Sequence, residues 1–76
     1  MLIGTLRLKL SLSWAQSLKD KRMMVKSLCA KLRDKFLVSV AEVDELDVIK
    51  TAVIGVACVG NSTAHLDSVL DHIIVW

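Results

Sequence analysis

Lys19, Arg22, Lys26 and Arg33 follow one another at intervals of three, four and seven residues. On a helix these four fall within an arc of about 60°, one edge of the cylinder. A row of cations on a helix edge can lie along successive phosphates, each contact adding affinity through counterion release. The plainer reading is a solvated face, since lysine-rich helix surfaces are common and the net charge is only +2. The distribution of charge nonetheless suggests an anionic partner. Residues 1–35 hold nine of the ten Lys and Arg with two acids, Asp20 and Asp34, whereas residues 36–76 hold Lys50 and six acids, so the halves carry +7 and −5. Arg7 and Lys9 extend the positive field from a neighbouring segment.

Other residue sets point less clearly to chemistry. Glu42, Asp44, Glu45 and Asp47 could hold a hard cation, with Glu42 and Asp44 expected on one strand face. They lack the Gly-turned loop of a calcium site, and a charged hairpin that keeps a sheet edge soluble accounts for them. His65 and His72 are seven residues apart, not the four of a helical metal pair. Cys29 and Cys58 are too few for a zinc site or a disulfide framework and sit in apolar patterns, so buried free thiols are expected. Asn61 fits a helix N-cap. An acyl-phosphate hydrolase would need a Gly-rich phosphate cradle carrying an Arg after the first strand, and Ser13-Trp14-Ala15-Gln16 has neither. No catalytic residue, cofactor or metal is expected, and the chain is read as a non-enzyme.

Aromatic content limits what a nucleic-acid ligand could be. Trp14, Phe36 and Trp76 are the only large rings, and the strands offer none for stacking bases. Contact with RNA or a ribonucleoprotein would be directed at backbone or shape, and no sequence-specific reading of DNA is expected.

The elements that must carry these residues follow from periodicity. Leu2, Leu6, Leu8, Leu10 and Leu12 share one parity, and Thr5, Arg7, Lys9 and Ser11 the other, which predicts a first strand with an apolar and a polar face. Ser17-x-x-Asp20 reads as a capping box opening a helix over 18–35, with Leu18, Val25, Cys29, Leu32 and Phe36 inward and Leu28 at the margin. Residues 37–45 read as a second strand and 46–47 as a hairpin break. Residues 48–60 read as a third strand, apolar on both parities and so covered on both faces. Asn61 or Ser62 caps a second helix whose inner stripe is Leu66, Val69, Leu70, Ile73 and Trp76.

The order β-α-β-β-α over a single domain, 1–76, predicts an α+β fold: the ferredoxin-like split βαβ pattern with its fourth strand absent, an antiparallel sheet under two helices on one face. Leu8, Leu10, Val25, Leu28, Leu32, Val56, Leu66 and Leu70 are the expected core. Arg7 and Lys9 interrupt the N-terminal apolar stretch, and no uncharged run is long enough to span a bilayer. With unpaired thiols, this predicts a cytoplasmic protein without membrane contact. A domain this small, with a sheet face left open by the helices, is expected to be a homo-oligomer, a dimer in the simplest case.

The alternating first strand, Ser17-Leu18-Lys19-Asp20-Lys21-Arg22, Val38-Ser39-Val40-Ala41-Glu42-Val43-Asp44 and Gly55-Val56-Ala57 together resemble the YlxP-like family of small bacterial proteins of unassigned function. The resemblance runs the whole length and implies a ferredoxin-like fold in a bacterial cytoplasm. It also implies an association with translation, because genes of that family often lie near those for translation factors and ribosome maturation. Two departures stand out. Members usually continue into a fourth strand beside the first, and they commonly have Glu where Asp20 stands here. The family brings no established catalytic residues.

Overall fold

The structure, a computed structural model, describes residues 1–75. It contains β1 (Leu2–Ser11), α1 (Leu18–Lys35), β2 (Ser39–Asp44), β3 (Thr51–Gly60) and α2 (Thr63–Val75). The three strands form one antiparallel sheet in the order β1-β3-β2, the ferredoxin-like split βαβ arrangement. Among the described residues no strand pairs with the outer edge of β1.

Register follows parity. Leu6 pairs with Val56, Leu8 with Ile54 and Leu10 with Ala52, so the leucine face of β1 continues the buried face of β3 beneath the helices. Arg7 and Lys9 lie on the open face. A slip of one residue would have put the leucines in water, which is what fixes this pairing.

Burial is less even than the pattern predicts. Val25, Leu32, Val56 and Leu66 are buried, but Leu8, Leu10, Leu28 and Leu70 are only half-buried. The reason is helix placement. α1 lies against β2 and α2 against β1 and β3, which leaves a groove of about 440 Å³ lined by Leu8, Leu10, Leu28 and Ile73. The inward stripe of α1 is also turned toward Lys21 and Met24, so Leu18 and Phe36 are half-buried. Leu12 and Ala15, beyond the end of β1, are fully enclosed.

The β2–β3 hairpin departs from expectation in three ways. β2 starts at Ser39, because Leu37 is exposed in a bend, and β3 starts at Thr51 after a turn and bend over 46–50. A bulge at Val43 shifts the register between Glu42 and Asp44. The extra residue sends these two acids to opposite faces, correcting the expectation that they share one. Finally, the helix-face residues of β3, Ala52, Ile54, Val56 and Cys58, are all buried, but its other face is closed only at one end. There Val53 is 1% exposed between Lys9 and Asp44, its cross-strand neighbours, whereas Val59 at the far end is open to solvent.

Ser62, not Asn61, caps α2: its Oγ accepts from the His65 N–H at 3.4 Å. Of the inner stripe of α2, Leu66 and Ile73 are buried and Val69 and Leu70 half-buried, while Trp76 lies outside the described residues. No described helix is long and apolar enough to cross a membrane.

Candidate nucleic-acid interface

The start of α1 is built by short-range hydrogen bonds. Ser17 Oγ accepts from the Asp20 N–H at 3.1 Å, as a capping box requires. The Asp20 carboxylate does not return to Ser17 but accepts from the Gln16 N–H at 3.2 Å. The helix closes where the Phe36 N–H donates to Leu32 O. Eighteen residues between these stops hold Lys19, Arg22, Lys26 and Arg33, all exposed.

The flank they occupy is defined by Arg33, whose Nη2 donates to Val40 O at 2.6 Å and so lies over the outer edge of β2. Lys31 lies on the other flank, at the groove facing α2. Lys19, Arg22 and Lys26 make no hydrogen bond or ion pair among the described residues, whereas Arg33 is partly committed. The cations off α1 are engaged. Arg7 pairs with Asp44 at 2.8 Å, Lys9 with Glu45 at 3.6 Å, and Lys50 donates to Ser13 O at 2.9 Å and to Ala15 O. The unengaged positive charge of the described side chains is therefore concentrated on α1.

Lys21, within the same basic run, has a different role. Its side chain is 0% exposed, its ammonium donates to Glu45 O and Val48 O at 2.6 Å each, and Glu42 Oε2 stands 2.8 Å away. Glu42 is 12% exposed, and that oxygen has no aligned hydrogen bond, so its attraction to Lys21 is Coulombic. Two of the segments that carry the family resemblance thus meet in one buried ion pair. Sequence reasoning missed it, although a signal was present. Lys21 falls in register with Val25, Leu28 and Leu32 on the apolar stripe, and Glu42 shares the parity of buried Val40.

The acidic hairpin forms a network of ion pairs. The carboxyl of Asp44 is held below its ordinary range, first by the Glu45 N–H donating to Oδ1 at 2.8 Å and then by Arg7. Arg7 reaches Asp44 across Gly55, the β3 residue aligned between Arg7 and Ala41. Glu45 itself is left-handed, φ 53°.

Neither thiol is poised for chemistry. Cys29 and Cys58 are free and buried, and burial raises the pKa of Cys29 despite the nearby Arg33 charge. His72 Nδ1 lies 2.7 Å from Ser68 O, and His65 is exposed. No group of His, Cys, Asp and Glu among the described residues could hold a metal ion.

The fold and this surface define a small ferredoxin-like α+β domain with a cationic helix flank. The chain belongs to the family described as proteins of unknown function, DUF503, which it matches over residues 3–76. No curated protein matches it in sequence.

Proposed function

We propose that this domain is a non-enzymatic, cytoplasmic binding module whose ligand is RNA or the RNA-bearing surface of a ribonucleoprotein, contacted along the outer flank of α1. The observation that carries this reading is the exposed, unengaged state of Lys19, Arg22 and Lys26, against a background in which the cations of β1 and the Lys50 ammonium have partners. Arg33 extends the row but shares its guanidinium with Val40 O. The resemblance to YlxP-like proteins, with its association with translation, points the same way.

The test is the salt dependence of binding to a structured RNA. Neutralising Lys19 and Arg22 should lower the slope of log affinity against log salt by about two, with stability little changed. Neutralising Lys31 and Lys35 instead is the control, because Lys31 lies on the opposite flank. Equal losses from both pairs would reduce the effect to net charge.

A second reading, a homo-dimerisation module, draws on the open sheet face. Ile3, Val43 and Val59 are exposed there around the small residues Ala41, Gly55 and Ala57. A second copy could cover that face. A monomer mass by light scattering at tens of micromolar would exclude it.

A further inference from the structure

The turn that leads into α1 presents an indole to solvent from a tightly tethered backbone. The Ala15 N–H donates to Leu12 O at 3.0 Å, closing a turn with Ser13 and Trp14 at its centre. Both feet are buried, Leu12 at 4% and Ala15 at 0% exposure. The Leu12 N–H donates to Lys50 O at 2.8 Å, and the Lys50 ammonium donates to both Ser13 O and Ala15 O. On the following residues the Gln16 N–H and the Ser17 hydroxyl belong to the cap of α1. The backbone on each side of Trp14 is thus held, yet its side chain is left out of the core, 55% exposed. In a chain with three large aromatic rings, this is an unusual use of one.

Five positions further along the chain, Lys19 begins the unengaged cationic row, which continues through Arg22 and Lys26. The acid nearest to that row, Asp20, is directed back to the Gln16 N–H. An exposed aromatic ring five residues ahead of a line of free cations, on a turn held against the start of their helix, is a pairing that can bind an unstacked base together with its backbone. A fixed indole does this with little ordering on binding.

We propose that Trp14 is a base-stacking residue at the start of the cationic row, so that the RNA this domain prefers carries an unpaired base next to a duplex. This deepens the reading of α1 as an RNA-binding flank and rests on it. The phosphates are held by Lys19, Arg22 and Lys26, and the selection for an extruded base comes from Trp14. Stacking engages the π-face that every base has, so the identity of that base matters little.

The probes are an RNA hairpin with one bulged nucleotide and the same hairpin with that nucleotide abasic, which keeps the phosphate count. The full chain should bind the bulged hairpin about tenfold tighter than the abasic one, the ratio expected from one base–aromatic stack. Trp14→Ala should remove that ratio and leave affinity for the abasic hairpin and both salt slopes unchanged, while Trp14→Phe keeps most of it. The part of the tryptophan emission lost in Trp14→Phe should be quenched by the bulged hairpin and not by the abasic one. Equal binding of the two hairpins with a steep salt slope would overturn the stacking role and leave the cationic flank standing. Absence of salt-sensitive RNA binding would overturn both. An unperturbed melting temperature in Trp14→Ala confirms that the comparison is made on folded protein. If that variant is unfolded, Trp14→Phe and the emission change decide the matter.

Discussion

Lys21→Met should cost the domain about 3 kcal/mol, near the lower end of the penalty for removing one member of a buried ion pair. The substitution keeps the length and apolar stem of the side chain but removes the ammonium that binds Glu45 O and Val48 O and faces Glu42. Glu45 O keeps the Val48 N–H as a donor, so only Val48 O loses its partner outright. Glu42 is 12% exposed and can turn partly toward water, which is why the lower end applies. Glu42→Leu should be worse, about 4–5 kcal/mol, because Lys21 is 0% exposed and its charge has no route to solvent without unpacking α1. The double variant removes both charges and retains one orphaned carbonyl, for a loss of about 1–3 kcal/mol. A domain of this size has a total stability of about 4–11 kcal/mol, so either single variant removes a large part of it. Urea unfolding followed by far-ultraviolet circular dichroism measures all four corners of the cycle. The reasoning fails if Lys21→Met lies within about 0.5 kcal/mol of the parent, or if the two single losses simply add in the double variant.

Three further outcomes follow from the hairpin and the open face. Glu45→Gly should stabilise the protein by about 0.5–1 kcal/mol, since φ 53° is unfavourable for Glu and free for Gly, and the ion pair it gives up with Lys9 is solvated and weak; a lower urea midpoint would contradict this. Gly55→Ala places a methyl 2.7 Å from Val43 Cγ1, so it should destabilise by about 1 kcal/mol and be rescued when Val43→Ala is added; a destabilisation that persists in the double variant would locate the clash elsewhere. Asp44 has a folded pKa below its unfolded one, so its contribution is present above the ordinary Asp range and is lost as pH falls through the depressed folded value. A carboxyl NMR titration should show Asp44 ionising below the ordinary Asp range, and Arg7→Ala should move it upward without restoring the ordinary value, because the Glu45 N–H remains.

What the sequence disclosed and what it hid divide along physical lines. The strict alternation of β1 and the caps of α1 are local signals, and the structure reproduces the expected limits of α1, 18–35, to the residue. The face of β1 was legible because parity has only two values. The depth of burial was not legible, because it depends on where each helix lies on the sheet. Leu8 and Leu10 carry the same pattern as their β3 partners but border the groove between helices. The bulge at Val43 left no trace in a run of Val, Ala and acids, since any of them can be the extra residue. It nevertheless decides that Glu42 meets Lys21 while Asp44 meets Arg7.

Placement also divides the basic run at the start of α1 by role. Counted as charge, Lys19, Lys21 and Arg22 are alike; the structure separates them by the angle at which each leaves α1. Lys21 is turned into the hairpin, where it holds the loop over 45–50, and Lys50 holds the loop over 12–17 by the same means, an ammonium on two carbonyls. Two of the ten Lys and Arg residues are thereby committed to keeping the loops at one end of the sheet in place. A fixed loop end is what holds the backbone of an exposed Trp14 in place at small entropic cost on binding. If α1 is the RNA-binding flank proposed above, removing Lys21 or Lys50 should weaken binding through loop order, in step with a fall in stability, whereas removing Lys19 or Arg22 should weaken it with stability intact. That separation, read by measuring affinity and unfolding on the same variants, distinguishes residues that touch a ligand from those that hold the touching residues in place.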